Sequence, residues 1–430
     1  MRAGAALWLT SGAILIAALA QAEDWPRFRG PNGAAKAVNA IISLRWSEQE
    51  NLRWKTPLPG PGASSPIVYD DRVYVTCYSG YGIDRENPGE VAKLVRHLLA
   101  VDRASGRIEW TADFPATQPE DTCKGFLAEH GYASNTPATD GSYIYAFLGK
   151  SGVVAVDLAG NTVWQTSVGT GSVEPHWGSA ASVVLHDDKV IVNASDESHS
   201  IWALDKTTGR ERWRYEDERL KLAVGTPALV SAAAVPQVVI ACPDHLLAIS
   251  AETGKLVWSA EIPIDDNIAP SVTVGDDVVY ATGGLEGGSV AVRLGGQGDV
   301  TNSHVLWTSR HYSYIGTPVF HERHLYWISD RGLAYCLRAT DGELTHRERL
   351  KIKEGAGRAF YASPLLVGDK LLAVSRYHGA FLFEAGPRMA LVANNIFQSD
   401  DSSFGATPAV AGSEIFLRSD NFLYCIGLPQ

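Results

Sequence analysis

Residues 203–213 read ALDKTTGRERW: a small residue, an Asp two places on, a Thr-Gly pair, and a Trp four residues after the Gly. The order has a physical logic. Asp can bond the backbone of the turn that follows it, and Gly supplies the positive φ that the turn needs. The Trp then lies on the next strand, where a large ring can be buried if its N–H finds a carbonyl. The spacing returns at Ala100–Trp110 (AVDRASGRIEW) and at Ala248–Trp258 (AISAETGKLVW), and Ala155–Trp164 is one residue shorter. Between Ala291 and Trp307 a six-residue insertion sits in a Gly-rich turn (LGGQGDVTNSH), and Cys336–His346 keeps the spacing with Cys, Arg338 and His346 in the Ala, Asp and Trp slots. Because these tryptophans recur at one position of a repeat, they are assigned to packing between repeats rather than to cofactor stacking.

Working outward, a second phrase precedes each of these turns: a small or hydroxyl residue, usually followed by Pro, that opens a short apolar strand. It occurs at Ser65, Thr136, Thr226, Ala269, Thr317, Ser363 and Thr407, with Ser179-Ala180 filling the remaining slot. The first gap is 71 residues and the others are 43 to 48. A period near 45 with four short strands per unit predicts an all-β, eight-bladed β-propeller of four-stranded antiparallel blades. The last unit ends at Cys425-Ile426-Gly427, after its third strand, while Asn51–Pro57 (NLRWKTP) is a Trp-bearing strand with no preceding three. Pairing these two segments would close the ring and remove an exposed edge. Leu94–Val101 follows helical spacing but must supply a strand in the first unit, with an irregular turn near Pro88–Ala92.

The remaining features concern compartment and partners. Arg2, the apolar run Ala13–Ala20 and the small-x-small triplet Ala20-Gln21-Ala22 make residues 1–22 a cleaved secretory signal with cleavage near Ala22. Residues 23–50 are then an extended segment and 51–430 the propeller. The expected location is periplasmic or extracellular, and no later stretch is long enough to span a membrane. A net charge of −11, with 37 Lys and Arg against 48 Asp and Glu, argues against a nucleic-acid partner. The five cysteines (Cys77, Cys123, Cys242, Cys336, Cys425) include no CxxC. Cys336 and Cys425 fall in the Ala slot as buried small hydrophobes, two blades apart, and whether Cys77 and Cys123 meet in a disulfide is left open.

The AxDxxTGxxxW repeats resemble the pyrroloquinoline-quinone (PQQ) repeat of the quinoprotein alcohol dehydrogenase-like superfamily, from Trp25 to Cys425, and the opening Asp24–Pro31 (DWPRFRGP) looks like the start of exported proteins of that type. The resemblance implies one of two activities. PQQ-dependent dehydrogenases hold the quinone over the channel with Ca²⁺, a catalytic Asp and often a ring of two adjacent cysteines; this chain has no Cys-Cys pair. BamB-like members are non-enzymatic scaffolds anchored through a lipid-bearing Cys, which this chain also lacks.

No catalytic or metal-binding set is specified by spacing. His321-Glu322-Arg323-His324 reads as a hairpin turn, Gly283–Gly288 as a second hairpin, and the Asp-Asp pairs at 265, 276 and 400 as turn caps. There is no GxSxG, and no Ser, His and Asp set follows from the spacing. Loops on the face around the channel are the place for a ligand. The candidate contacts there are His130, His176, Trp177, Asp330, Arg331, Tyr361, Arg376 and His378. The expectation is an exported binding or scaffold module with a protein, peptide or glycan partner and no cofactor; the alternative is a PQQ- and Ca²⁺-dependent dehydrogenase.

Overall fold

The computed structural model describes residues 24–232, 235–352 and 357–428; the signal segment expected at 1–22 lies outside them. The strands form eight sheets in sequence order, each antiparallel and four-stranded at its heart. Blades 1 to 7 span residues 67–115, 138–166, 184–216, 228–261, 273–309, 319–349 and 365–395. Blade 8 combines residues 409–427 with Leu52–Pro57, which pairs antiparallel with Phe422–Gly427 and sets Trp54 opposite Cys425. In blade 1 a 3₁₀ turn at Val91–Lys93 leads into the strand Val95–Asp102.

Side-chain pattern decides each strand's place. Inner strands are covered on both faces and read as nearly unbroken apolar runs, as in Lys189–Ala194, where every residue is buried. Outer strands alternate: in Glu211–Glu216 only Trp213 is buried.

That tryptophan forms the joint between blades. The indole N–H of Trp54, Trp110, Trp164, Trp213 and Trp307 donates to the carbonyl of Arg103, Leu158, Lys206, Ala251 and Ala339 respectively, at 2.8–3.0 Å. Each acceptor directly follows the Asp slot of the next blade's turn. The Gly of that turn lies against the ring. A Cβ on Gly106, Gly209, Gly254 or Gly342 would come within 2.5–2.7 Å of the neighbouring Trp, and all four have φ near +70°. The glycine is therefore needed twice, for the turn and for the close approach. Trp258 is the exception that explains itself: the blade 5 turn it would meet is replaced by the Gly-rich insertion, and its N–H goes to Gln237 Oε1 of its own blade at 3.0 Å. The insertion returns Gly298–Asp299 as a parallel fifth strand beside Trp258. In blade 6 His346 occupies the slot, and in blade 7 Ala393 does.

A second set of bonds runs around the channel. The backbone N–H of each opening residue donates to the hydroxyl of the next: Ser65 to Thr136, Thr136 to Ser182, Ser182 to Thr226, Thr226 to Ser271, Ser271 to Thr317, Thr317 to Ser363 and Ser363 to Thr407, all at 2.8–3.0 Å. This corrects the sequence reading in two blades: the opening residues are Ser182 and Ser271, not Ser179 and Ala269. The slot is defined by a hydroxyl that bonds the preceding blade, and Pro after it is incidental. With that register the separations after the first 71 narrow to 44–46.

The segment before blade 8 crosses the channel. Trp25 bridges Val68 in blade 1, and Pro26 O accepts the Thr139 N–H of blade 2. Three residues on, Arg29 donates to Thr317 O and Pro318 O of blade 6 at 2.9 and 2.6 Å. Lys36–Ala37 then adds a parallel strand to blade 7. All five cysteines are buried free thiols, Cys77 and Cys123 included.

The Trp–Gly joint is testable with two glycines of equal φ (+68°), Gly209 against Trp164 and Gly298 with nothing within 4 Å. Gly209→Ala should lower stability by about 2 kcal/mol more than Gly298→Ala, since only the first adds a collision to the backbone strain. Thermal unfolding of the two variants measures the difference.

Candidate binding site at the channel

The channel cavity has a volume of about 180 Å³ and is lined by all eight opening residues, Ser65, Thr136, Ser182, Thr226, Ser271, Thr317, Ser363 and Thr407. Phe28 of the crossing segment lies at one end. Phe126, His130, Trp177, Tyr314 and Tyr361, from the connections between blades, lie at the other. The cavity thus has a hydroxyl waist, an apolar floor and an aromatic rim.

Outside the rim is a wider mouth of about 750 Å³, shared by Arg85, Phe126, Glu129, Trp177, Arg358, Tyr361, Arg376 and Tyr377. Its arginines stand over rings: Arg358 lies 4.5 Å from the Phe126 centroid and 4.6 Å from that of Tyr314, and Arg376 lies 4.5 Å from that of Tyr361. Stacked this way the guanidiniums keep their planes fixed while leaving edges to donate. Glu129 bridges two of them, Arg376 at 2.7 Å and Arg85 at 2.9 Å. Burial pushes its carboxyl up, but bonding to the two arginines outweighs that and holds it below the usual range.

The sequence-derived candidates divide. The mouth and rim unite His130, Trp177, Tyr361 and Arg376. His130 ends a short helical turn, Leu127–His130. Its Nε2–H donates to the Trp177 carbonyl at 2.9 Å, and its Nδ1 faces the Ser134 hydroxyl at 2.6 Å. Burial lowers its pKa and favours the neutral ring. It therefore clamps the Trp177 loop. Asp330 reaches the mouth only through Arg358, at 3.4 Å. His176 is turned aside and half exposed, bonded to Asp121 and Glu174. Arg331 and His378 line neither cavity. Sequence reasoning missed Phe126, Glu129, Arg85 and Arg358. The first three sit in the surplus of the long first unit, and that 71-residue gap was the available signal.

Beside the rim a smaller cavity of about 30 Å³ gathers buried charge: Arg96 with Glu120 (2.7 Å), Lys150 with Asp121 (2.9 Å), and Asp196 next to Glu197. Glu197 is 4 % exposed and its Oε2 has no partner. Burial first, and the Asp196 charge second, push its pKa up to about 8.

The channel also bears on the cofactor that the PQQ resemblance implies. Its lining contains no Asp or Glu, and calcium takes oxygen ligands that normally include carboxylates. The one carboxylate that lines the mouth, Glu129, is engaged with Arg376 and Arg85. The residues present do not fit a calcium-bound quinone.

The family model described as outer membrane protein assembly factor BamB matches residues 44–172 and 95–348. The chain belongs to this family. No curated protein matches it in sequence. Among solved structures it is similar to BamB from Moraxella catarrhalis, with 14% identity, TM-score 0.60, and 88% of this chain and 99% of that chain covered. It is also similar to quinohemoprotein alcohol dehydrogenase ADHIIG from Pseudomonas putida HK5, with 12% identity, TM-score 0.66 and coverage of 97% and 82%. A europium-containing methanol dehydrogenase matches with 10% identity, TM-score 0.63 and coverage of 94% and 98%. Identities this low establish the propeller shared with scaffold and dehydrogenase members of the fold, not an activity. Among the described residues no helix is long and apolar enough to cross a membrane.

Glu197 yields a pH prediction. Its folded pKa is raised, so between the ordinary carboxyl pKa and about 8 the folded state binds more protons than the unfolded one, and stability falls as pH rises through that window. Glu197→Gln removes this dependence. The variant should match the wild type in Tm at pH 5 and exceed it at pH 8.5, as followed by differential scanning calorimetry.

Proposed function

We propose that this protein is an exported binding module of the cell envelope, which takes an acidic segment of a protein partner at the channel mouth. The observation that supports this most is the mouth itself: three arginines, two of them fixed over aromatic rings, around an opening that leads to a hydroxyl-lined cavity. Arginine edges suit carboxylates, and the rings of Trp177 and Tyr361 offer flat apolar contact beside them. A cationic mouth on a chain of net charge −11 is a local departure from the whole, and such departures guide encounter with partners of opposite charge. The family to which the chain belongs is described by assembly at the outer membrane, and the signal-like residues 1–22 agree with export.

The test is an array of acidic, neutral and basic peptides from envelope proteins, probed with the purified chain, followed by calorimetry on the best binder. Acidic peptides should bind best. Arg376→Ala and Trp177→Ala should each weaken binding by about tenfold or more, near 1.4 kcal/mol, whereas Arg331→Ala should leave it unchanged. Binding that ignores peptide charge, or survives both mouth substitutions, would reject the proposal. So would selective capture of a neutral glycan at the mouth, or tight stoichiometric binding of PQQ with Ca²⁺ accompanied by dye-linked alcohol oxidation.

A further inference from the structure

Blade 1 carries a second constellation, away from the channel lining. Its second, third and outer strands are Arg72–Ser79, Val95–Asp102 and Ile108–Pro115. Their register sets Cys77 opposite His97 and His97 opposite Asp113, so Ser79, two residues beyond Cys77, lies on the same face. The side chains close on one another. Ser79 Oγ lies 2.7 Å from His97 Nε2, and His97 Nδ1 lies 2.7 Å from Asp113 Oδ1. A carboxylate can only accept, so Nδ1 carries a proton, and in the ring's neutral form the lone pair of Nε2 is turned toward the serine hydroxyl. The imidazole is 10 % exposed and held by both neighbours, while the Asp113 side chain is 61 % exposed. Ser79 is partly exposed, at the last position of its strand, and Gly80 follows with φ +81° as the chain turns away.

A serine hydroxyl bonded to an imidazole whose far nitrogen is oriented by a carboxylate is the arrangement that activates serine as a nucleophile, whatever the fold. We propose that Ser79, His97 and Asp113 form an acyl-transfer site that accepts esters, with Ser79 as nucleophile, His97 as general base and acid, and Asp113 as a positioning residue. Ser79 Oγ adds to the ester carbonyl carbon as its proton passes to His97 Nε2. Collapse of the tetrahedral adduct breaks the carbon–alkoxy bond, and the alcohol leaves with that proton. Water then adds to the acyl-serine, giving a proton to His97 Nε2; release of the carboxylic acid returns it to Ser79 Oγ. Because Asp113 faces solvent, its hold on the ring is weaker than that of a buried carboxylate, and its loss should cost less than loss of the histidine.

The strands need no spacing motif to make this site. Ser79 and His97 are 18 residues apart and His97 and Asp113 are 16 apart, separations set by the long hairpin of blade 1. The test uses the purified chain and a fluorophosphonate probe, from which a nucleophilic serine displaces fluoride to form a stable phosphonyl ester. Peptide mass mapping should find the adduct on Ser79 of the folded protein and not on heat-unfolded protein. His97→Gln should slow labelling by about 100-fold or more, the lower end of what a positioned base contributes, and Asp113→Asn should slow it by a smaller factor. Circular dichroism of the variants separates a lost base from a lost fold, and the wild-type result needs no variant. No adduct on Ser79 where a serine hydrolase control labels fully, or labelling that is undiminished in folded His97→Gln, would overturn the proposal.

Discussion

Everything in this molecule depends on blades 2 to 8 each supplying a hydroxyl to the amide that opens the blade before it. The opening amides sit at the channel lining, buried or half-buried. An unmet buried N–H costs on the order of 1–3 kcal/mol, and seven such bonds run in series among the described residues. Serine and threonine are alternated freely because only the oxygen matters. The residues that make these bonds all line the channel, so the feature that holds the ring together also gives the channel its polar waist. At the outer radius the Trp–carbonyl joints repeat the principle with a larger group.

The junction between blades 8 and 1 adds charged side chains to the Trp54 joint. Arg418 of blade 8 is buried and donates to Ser64 and Thr76 of blade 1. Arg103 of blade 1 reaches back to Glu414 at 2.7 Å and to Ala411 O at 3.0 Å. Charge-assisted bonds are stronger than neutral ones, and here they hold the strands 409–427 of blade 8 against blade 1, into which the chain does not lead directly from them. The crossing segment extends the same logic. Between Pro26 on blade 2 and Arg29 on blade 6 it spans the channel and leaves Phe28 within it. A ring that would be a pore becomes a cavity approached from the arginine-rich face.

Blade number, the Trp slots and the borrowed outer strand were legible because they are periodic, and periodicity multiplies a weak local signal. The opening slots of blades 3 and 5 lie three and two residues beyond Ser179 and Ala269 because the operative group is the hydroxyl of Ser182 and Ser271; in blade 5 the Ala269-Pro270 pair marks a position outside the slot, and in blade 3 no Pro is present to mark it. The fifth strand on blade 4 could not be read, since Gly298–Asp299 has no strand-like pattern and is placed by its neighbour Trp258. The mouth was half legible. Tyr361 and Arg376 lie in repeat loops, but Arg85, Phe126 and Glu129 come from stretches that the repeat does not require. Those stretches are what lengthens the first unit to 71 residues against 44–46 elsewhere. Where a repeat protein spends residues beyond its repeat, structure alone does not demand them, and the surplus marks a site.

If the mouth takes an acidic segment as proposed, Glu129 sets its selectivity. Two of its three arginines already hold this carboxylate, so the desolvation cost of fixing the guanidiniums is met internally before any ligand arrives. A partner that offered only one carboxylate would exchange one ion pair for another and gain little. A net gain needs a contact that Glu129 cannot make, and the rim provides it in Trp177, Phe126 and Tyr361. The geometry therefore favours a segment that joins acidic with apolar or aromatic groups over a simple anion. His130 matters to that choice without touching the ligand: by bonding the Trp177 carbonyl it fixes the height of the ring above the cavity, and with it the distance at which charge and apolar surface must be presented together.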